Sequence, residues 1–567
     1  MRNNREIISE IMKVRGITSP EDIEEFLSPK PQRTYDPFLL DGMKAGVELL
    51  ISMAEEGRRI CIYGDYDADG VTSVTVMACG VSRLTDNWFF YIPSRFDEGY
   101  GLNRIAIDKI KAKGAELIIT VDCGCVSKGE VEYAQSLGIS VIVTDHHNIE
   151  DTIADCIVID PKKPEKFFME EGKEPYPCRE LAGCGVAFKF IQALQRTVGF
   201  PKSVLTDALD MVAVGTVGDI VPLRGENRTL AKYGIAIANT GRRKTLARFA
   251  KAIGIEEITS ESISFGIVPH INAAGRMDTA MDAVELFNTE DDAVIDGRTE
   301  RLIQHNSRRK RTQEEAYESC LSMIEGTENF IVLNVSEMHE GIAGIVAGKL
   351  KDRFCRPVII VTPSEGEGHE GNYLKGTGRS LPKVDIYDIL NRNSRLFERF
   401  GGHKSACGFL MKTENLEALV EGVNRETERL LAEDEDLFEK QLAVDLVLEP
   451  AEVSIDLAKD IMQLAPFGEG NPTPKFRMNN LSIRNLSYMG ENRTHARFGV
   501  CTAEGGMNRD QGCRAFVNCV LFREAQNLKD ILEGGNAVDV IGSLSYQVWK
   551  GQERVQFIVE DITERTN

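Results

Sequence analysis

The chain has 567 residues, enough for about three or four domains, and its 42% apolar, 27% charged composition without low-complexity tracts excludes a disordered or fibrous protein. No apolar run approaches the ~18 residues of a membrane span, the opening MRNNREIISEIMK has no signal-peptide apolar region, and thirteen scattered cysteines fit a reducing cytoplasm better than a disulfide framework. A net charge of −21 taken alone argues against nucleic acid, but basic residues cluster at Arg242, Arg243, Lys244, Arg248 and Lys251 and again at Arg308 to Arg311, and local field steers a polyanion.

Residues 1–45 read as a short helical prelude ending in Pro29, Pro31, Pro37 and Gly42. Strand-like runs then alternate with helical ones: Arg59 to Tyr63, Trp88 to Ile92, Leu117 to Val121, Ser140 to Thr144 and Cys156 to Ile159. This alternation predicts an α/β fold with a mostly parallel sheet. Four of the five runs lead into an aspartate, at Asp65, Asp122, Asp145 and Asp160. Ligands of open α/β sheets bind beyond the carboxyl ends of the strands, so these positions predict one crevice lined by carboxylates.

The first of them opens Asp65-Tyr66-Asp67-Ala68-Asp69-Gly70. Alternate positions of an extended chain project to one side, and carboxylates brought together repel unless a cation lies among them. A divalent metal is therefore expected. A calcium EF-hand loop shares the D-x-D-x-D-G opening, but its twelfth position, a bidentate Glu, is Val76 here, and a strand precedes where that loop needs a helix. An acidic surface turn is the plain alternative. Asp145-His146-His147 adds two imidazoles at the same sheet edge, where ligand and phosphate roles outweigh a structural one. Asp219, in GTVGDIVPL, is a weak candidate alone, because an Asp before a Val-Pro turn is commonly only a cap or turn former.

Further along, Pro269, His270, Asn272 and Arg276 lie among small residues, where the backbone has room to approach a ligand and Arg276 to reach phosphate; tight helix packing explains them almost as well. Thr289 to Ile324 reads as a long, polar, domain-bridging helix opened by a Thr289-x-x-Asp292 capping box. A second α/β unit follows, with strands Phe330 to Val335 and Pro357 to Val361, His339 before the glycine-rich helix start GIAGIVAGK, and glycine-rich loops GTGRS (376–380) and GGHKSACG (401–408) that suit anions. From Leu442 onward, alternating strands predict a small β-barrel, with Phe498, Tyr546 and Trp549 as candidates for base stacking or, individually, for its core.

Together, DYDADG (65–70), VDCG (121–124), TDHH (144–147) and GTVGDIV (215–221) resemble the DHH phosphoesterase superfamily. RFDEGYGL (95–102), INAAGR (271–276), HEGIAGIVA (339–347) and GGHKSACG (401–408) narrow the resemblance to its RecJ family. The resemblance implies a DHH catalytic domain over 46–285, a bridging helix over 286–325, a DHH-associated α/β domain over 326–440 and an OB-fold barrel over 441–567. It implies a 5′→3′ exonuclease degrading single-stranded DNA to 5′-mononucleotides in DNA repair and recombination. Two divalent ions, Mn²⁺ or Mg²⁺, would be held by Asp65, Asp67, Asp69, Asp122, His146 and Asp219, with Asp122 bridging and His147 beside the scissile phosphate. Arg95, Asn272, Arg276, His339, Arg379, Ser380, Gly402 and His403 would contact phosphate and strand. The implied partners are single-stranded DNA, a single-strand-binding protein and a helicase, acting with a monomer.

Three positions depart from related patterns. Cys407 stands where the family has Ala, His270 where an Arg is usual, and Tyr63 where the superfamily's pyrophosphatases carry a ligand His, which argues against that branch. The competing reading is a nanoRNase or pAp-phosphatase-like enzyme acting on short oligonucleotides, in which the residues from Leu442 onward have no place. A catalytically dead DNA-binding scaffold would have lost metal positions that are filled here. Lying far in sequence from every candidate ligand, the barrel is expected to hold the strand, and a chain ending near residue 440 to keep its turnover on short oligonucleotides.

Overall fold

A computed structural model describes residues 2–94, 98, 101–364, 372–439, 441–502 and 515–565, apart from the side chain of Trp549. The chain forms two compact units, one of residues 1–91, 101–268 and 442–567, the other of 92–100 and 269–441. Among the described residues no helix is long and apolar enough to cross a membrane.

The first unit carries a five-stranded sheet of β1 (Ile60–Gly64), β2 (Trp88–Tyr91), β3 (Leu117–Val121), β4 (Ser140–Thr144) and β5 (Ile157–Ile159), in the order β2-β1-β3-β4-β5. Every pairing is parallel. The central strands β1 and β3 are buried along their whole length, as continuous apolar runs covered on both faces require. Tyr63 is fully buried with its hydroxyl donating to Gly101 O at 2.8 Å, a structural role. Helices Ala68–Val81 and Gly183–Val198 pack beside the sheet, with Ser203–Gly218 packed on both of them, and their small residues set the spacing: a Cβ on Gly80 would lie 2.5 Å from Ile191 Cγ2. The strand order reverses between β1 and β3, so the turns after these two strands flank the switch point at which open sheets bind ligands.

The same unit contains the C-terminal barrel. Its strands are β11 (Leu446–Val447), β12 (Phe476–Met489), β13 (His495–Thr502), β14 (Val517–Leu521), β15 (Val538–Trp549) and β16 (Gln552–Glu564). The order β11-β12-β13-β14-β16-β15 is closed by a β12–β15 pairing, which makes β12 to β16 a ring. The turn between β15 and β16 has Lys550 and Gly551 both at positive φ, as a two-residue hairpin turn demands. Phe498 is 2% exposed within the barrel core and so unavailable to bases; Tyr546 is half-buried, its hydroxyl donating to Glu553. The amphipathic helix Asn4–Val14 puts Ile7, Ile8, Ile11 and Met12 into that core, joined by Phe26 of helix Pro20–Leu27. Arg2 fixes the arrangement through Glu452, and Arg15 through Asp445.

The second unit is built on β6 (Ile331–Asn334), β7 (Val358–Pro363), β8 (Tyr373–Arg379), β9 (Phe397–His403) and β10 (Ala406–Lys412), ordered β6-β7-β8-β10-β9. Only β6 and β7 run parallel among these pairs. The two glycine-rich segments expected to be loops are mostly strand: GTGR ends β8, and GGHKSACG is the β9–β10 hairpin. Their glycines serve cross-strand packing, since a Cβ on Gly376 would lie 2.1 Å from Phe409 Cζ and one on Gly378 2.5 Å from Cys407 Sγ. Cys407 is thus a core residue.

The long helix is Asp292–Leu321, and Asp291 caps it in place of the expected Thr289 capping box, accepting from the N–H groups of Ala293 and Val294. Its polar surface is partly consumed in ion pairs. Arg298, Arg301 and His305 converge on the buried Asp282, and Lys349 of helix Glu340–Phe354 pairs with Glu314.

Candidate metal centre

The turn after β1 and the helix Ala68–Val81 place the first three carboxylates. Asp67 caps that helix, its Oδ1 accepting from the N–H groups of Asp69 (2.9 Å) and Gly70 (3.0 Å). Gly70 is obligatory here, because a Cβ would lie 2.3 Å from Asp65 O. Asp69, 1% exposed, is gripped from a second helix, accepting from Gly183 N at 2.6 Å and Cys184 N at 2.9 Å. These two donors open helix Gly183–Val198, where backbone N–H groups and the helix dipole favour negative charge. Neither donor is foreseen in the sequence; their one signal there is the run of small residues from Ala182 to Gly185.

Asp122 follows β3 in the left-handed region, at φ 60, a conformation that aspartate tolerates better than most residues. His146 follows β4, and its Nε2 lies 3.0 Å from Asp122 Oδ1, 3.6 Å from Asp219 Oδ2 and 3.9 Å from Asp69 Oδ2. Asp219 reaches this cluster from the end of helix Ser203–Gly218, one turn past Gly215, whose missing side chain leaves room for Thr72, Cys184 and Asp69. Two donor sets result, Asp69 with His146 and Asp219, and Asp65 with Asp67 and Asp122; Asp122 also groups with His146 and His147.

The electrostatics of the cluster favour bound positive charge. Burial, and then the neighbouring carboxylates Asp69, Asp67, Asp65 and Asp219, push Asp122 well above the usual carboxylate range. Burial, then Asp69 and Asp67, push Asp219 up to about 8. Burial, then Asp69, also raises Asp67. Burial lowers His146, so its ring is neutral near pH 7 and offers a lone pair. Both of its ring nitrogens are buried without an aligned hydrogen-bond partner among the described residues. Carboxylates plus one imidazole suit Mn²⁺ or Mg²⁺, and this orphaned imidazole among repelling carboxylates fits such ions.

Asp145 stands behind the centre. It accepts from the N–H groups of Cys125, His146 and His147, and its Oδ1 lies 2.7 Å from His147 Nδ1. Burial opposes the charged forms, but the mutual hydrogen bond and charge hold Asp145 below its usual range and raise His147 to about 9. His147 therefore keeps its proton at neutral pH, oriented by Asp145. Asp145 also groups with the buried Cys125 and Asp160.

The expected phosphate contacts fall in the second unit. Arg276 Nη1 donates to Gly341 O at 3.1 Å, His339 Nδ1 accepts from Gly341 N, and a Cβ on Gly344 would lie 2.8 Å from Arg379 Nη2. Arg276, His339 and Arg379 are thus gathered on the first turns of helix Glu340–Phe354. Ser380 is buried, its hydroxyl donating to Val384 O. Gly402, at φ 144, lets the β9–β10 hairpin close, and His403 beside it is exposed. Asn272 and His270 are half-buried on helix Val268–Met277. Arg95 lies outside the described residues.

Comparison with known proteins agrees with this architecture. Residues 59–216 match the DHH family N-terminal domain, 327–429 the DHHA1 domain and 444–561 the RecJ OB domain. The single-stranded-DNA-specific exonuclease RecJ of Bacillus subtilis is 32% identical over 561 residues, covering 98% of this chain and 67% of the relative. That of Salmonella typhimurium is 31% identical, covering 97% and 94%, and that of Escherichia coli 30% identical, again covering 97% and 94%. The crystal structure of RecJ in complex with Mn²⁺ from Thermus thermophilus superposes with a TM-score of 0.79 at 27% identity, over 99% of this chain and 76% of that one. Its Mg²⁺ complex gives a TM-score of 0.72 at 26% identity, over 99% and 75%. With three domains matched in order and relatives at this identity over nearly the whole length, the chain belongs to the RecJ family.

Proposed function

We propose that this protein is a metal-dependent exonuclease that degrades single-stranded DNA from the 5′ end, releasing 5′-mononucleotides in DNA repair and recombination. The observation that carries the reading is the meeting of the two buried donor sets at Asp122 and His146. Asp65, Asp67, Asp69, Asp122, His146 and Asp219 hold two divalent ions, Mn²⁺ or Mg²⁺. When bound, these supply an activated water and neutralise the charge that develops on the phosphoryl oxygens.

The chain's own residues do the rest. Asp69 is fixed by the Gly183 and Cys184 N–H groups, which gives it one orientation toward the site. His147, protonated and steered by Asp145, donates a hydrogen bond to the scissile phosphate. Arg276, Arg379, Ser380, Gly402, His403, His339 and Asn272, with Arg95, contact the strand's phosphates and 5′ end. The barrel holds the following nucleotides by stacking and phosphate contacts. The enzyme works as a cytoplasmic monomer, alongside a single-strand-binding protein and a helicase. Residues 444–561, matched to the RecJ OB domain, favour this reading over a short-oligonucleotide phosphodiesterase.

The test is digestion of 5′- and 3′-labelled single strands and duplexes with Mn²⁺, Mg²⁺ or EDTA. Mononucleotides should appear from the 5′ end of single strands only, a bulky 5′ block should stop the reaction, and EDTA should abolish it. Cutting of circular single strands, or equal loss from both ends, would contradict the reading.

A further inference from the structure

The residues after Asp219 run directly onto the C-terminal barrel. Leu223 N–H donates to Glu469 O at 2.8 Å, and Arg224 Nε donates to Gly470 O at 2.7 Å. Leu223 is 1% exposed. A Cβ on Gly468 would lie 2.8 Å from Leu223 Cδ1, and one on Gly470 3.0 Å from Pro222 Cβ, so both glycines allow loop 468–471 to seat against this segment. The loop is itself held firmly. Gly468 and Asn471 form a bridge, and Asn471, 1% exposed, donates to Leu464 O and Pro466 O and accepts from Arg15 Nη1 at 2.7 Å.

Between Asp219 and the anchored Pro222 stands Ile220 at φ 61, a β-branched residue in the left-handed region, 69% exposed. With so little of its side chain packed, that conformation persists only if the chain is fixed on both sides. On one side is helix Ser203–Gly218; on the other is the barrel loop.

We propose that loop 468–471 is a positioning element of the metal centre. By clamping residues 222–224 it holds Ile220 in its strained conformation and sets the direction from which the Asp219 carboxylate joins Asp69 and His146. The barrel then governs metal affinity and the hydrolytic step, besides binding the strand. The inference rests on the metal-centre reading given above.

The test uses the full-length protein with Arg224→Ala, which removes an exposed side chain, Arg224→Lys, and Gly470→Val, which drives a side chain against Pro222. Hydrogen exchange of the amides of residues 219–221 and 223 is followed without metal, Mn²⁺ binding by electron paramagnetic resonance, and kcat and KM on a trinucleotide and on a forty-nucleotide strand. Faster exchange is expected for Arg224→Ala and Gly470→Val, with Mn²⁺ affinity weakened by about 10-fold. Their kcat should fall by a similar factor on both substrates with little change in KM, and Arg224→Lys should be intermediate. Folded Arg224→Ala protein with wild-type exchange and Mn²⁺ binding would overturn the proposal, as would an effect confined to KM for the long strand. Should exchange and Mn²⁺ binding respond as expected while wild type hydrolyses no single-stranded DNA, the positioning role stands and the exonuclease reading falls.

Discussion

His146 Nε2 lies 3.0 Å from Asp122 Oδ1 with both side chains buried, yet neither ring nitrogen of His146 has an aligned hydrogen-bond partner among the described residues. A neutral imidazole this close to a carboxylate would ordinarily donate to it. Its lone pair and the carboxylate oxygen instead face a shared space in which a cation would satisfy both.

Asp122→Asn removes one charge from that space while keeping the shape. With metal chelated, the variant should be at least as stable as wild type, because burial, and then repulsion from Asp69, Asp67, Asp65 and Asp219, disfavours the Asp122 carboxylate. With Mn²⁺ added, wild type should gain melting temperature as the ion binds only the folded state, and the variant should gain little. Its hydrolysis should fall by more than the roughly 10–100-fold typical of changes behind a metal ligand. Near-wild-type turnover at matched Mn²⁺ would rule out a bridging role for Asp122.

Gly183 allows a sharper cut between stability and function. Its N–H holds Asp69, and a Cβ there would lie 2.7 Å from the Asp122 Cβ and 2.8 Å from its Oδ1. Gly183→Ala should therefore displace carboxylates of both donor sets while adding a good helix former at the start of Gly183–Val198. We expect a loss of about 10-fold or more in Mn²⁺ affinity with a melting temperature close to wild type. Calorimetric titration with Mn²⁺ beside a thermal melt checks both, and unchanged affinity would mean that the site relaxes around the methyl group.

The sheet and its acidic edge were legible in the sequence because five apolar runs, four ending in Asp, state both burial and direction. On its own residues Asp219 is only a weak candidate and joins the metal set through the family resemblance, since only the fold brings the end of helix Ser203–Gly218 to within 3.6 Å of His146. The glycines of GTGRS misled for a related reason. Glycine usually punctuates a chain, whereas Gly376 is small to accommodate Phe409 across the sheet. The contact of Arg224 with Gly470 spans 246 residues, and no local pattern records it.

Acid should loosen the join between the N-terminal helices and the barrel. Glu452 is 8% exposed and receives Arg2 through its side chain and its backbone N–H, and the Arg2 side-chain hydrogen bond foremost lowers its pKa from 4.5 to about 2. A depressed folded-state pKa gives stability that is fully present above about 4.5 and lost as pH falls toward 2. Glu452→Gln should cost about 2 kcal/mol at pH 7, and its difference from wild type should shrink over that window. Urea unfolding of both proteins at pH 7, 4.5 and 3 measures this; a constant difference would mean that Arg2 contributes packing and not charge.

Shortening the chain near residue 440 should give a result different from the one expected from sequence distance alone. Ile7, Ile11 and Met12 are fully buried in the barrel core, with Ile8 and Phe26 nearly so. Without the barrel these five side chains would face water, at about 1.5–3 kcal/mol each for full exposure, a sum comparable with the whole stability of a domain. The segment behind Asp219 would also lose Glu469 and Gly470. A protein of residues 1–440 should therefore be prone to aggregation and proteolysis within its first 30 residues, while one of residues 30–440 should be more soluble. The latter should still turn over short oligonucleotides more slowly than full-length enzyme at equal Mn²⁺, because Asp219 is no longer braced. Limited proteolysis of both shortened proteins, followed by kcat on a trinucleotide, decides the matter. Equal kcat for residues 30–440 and full-length protein would return the barrel to strand capture alone.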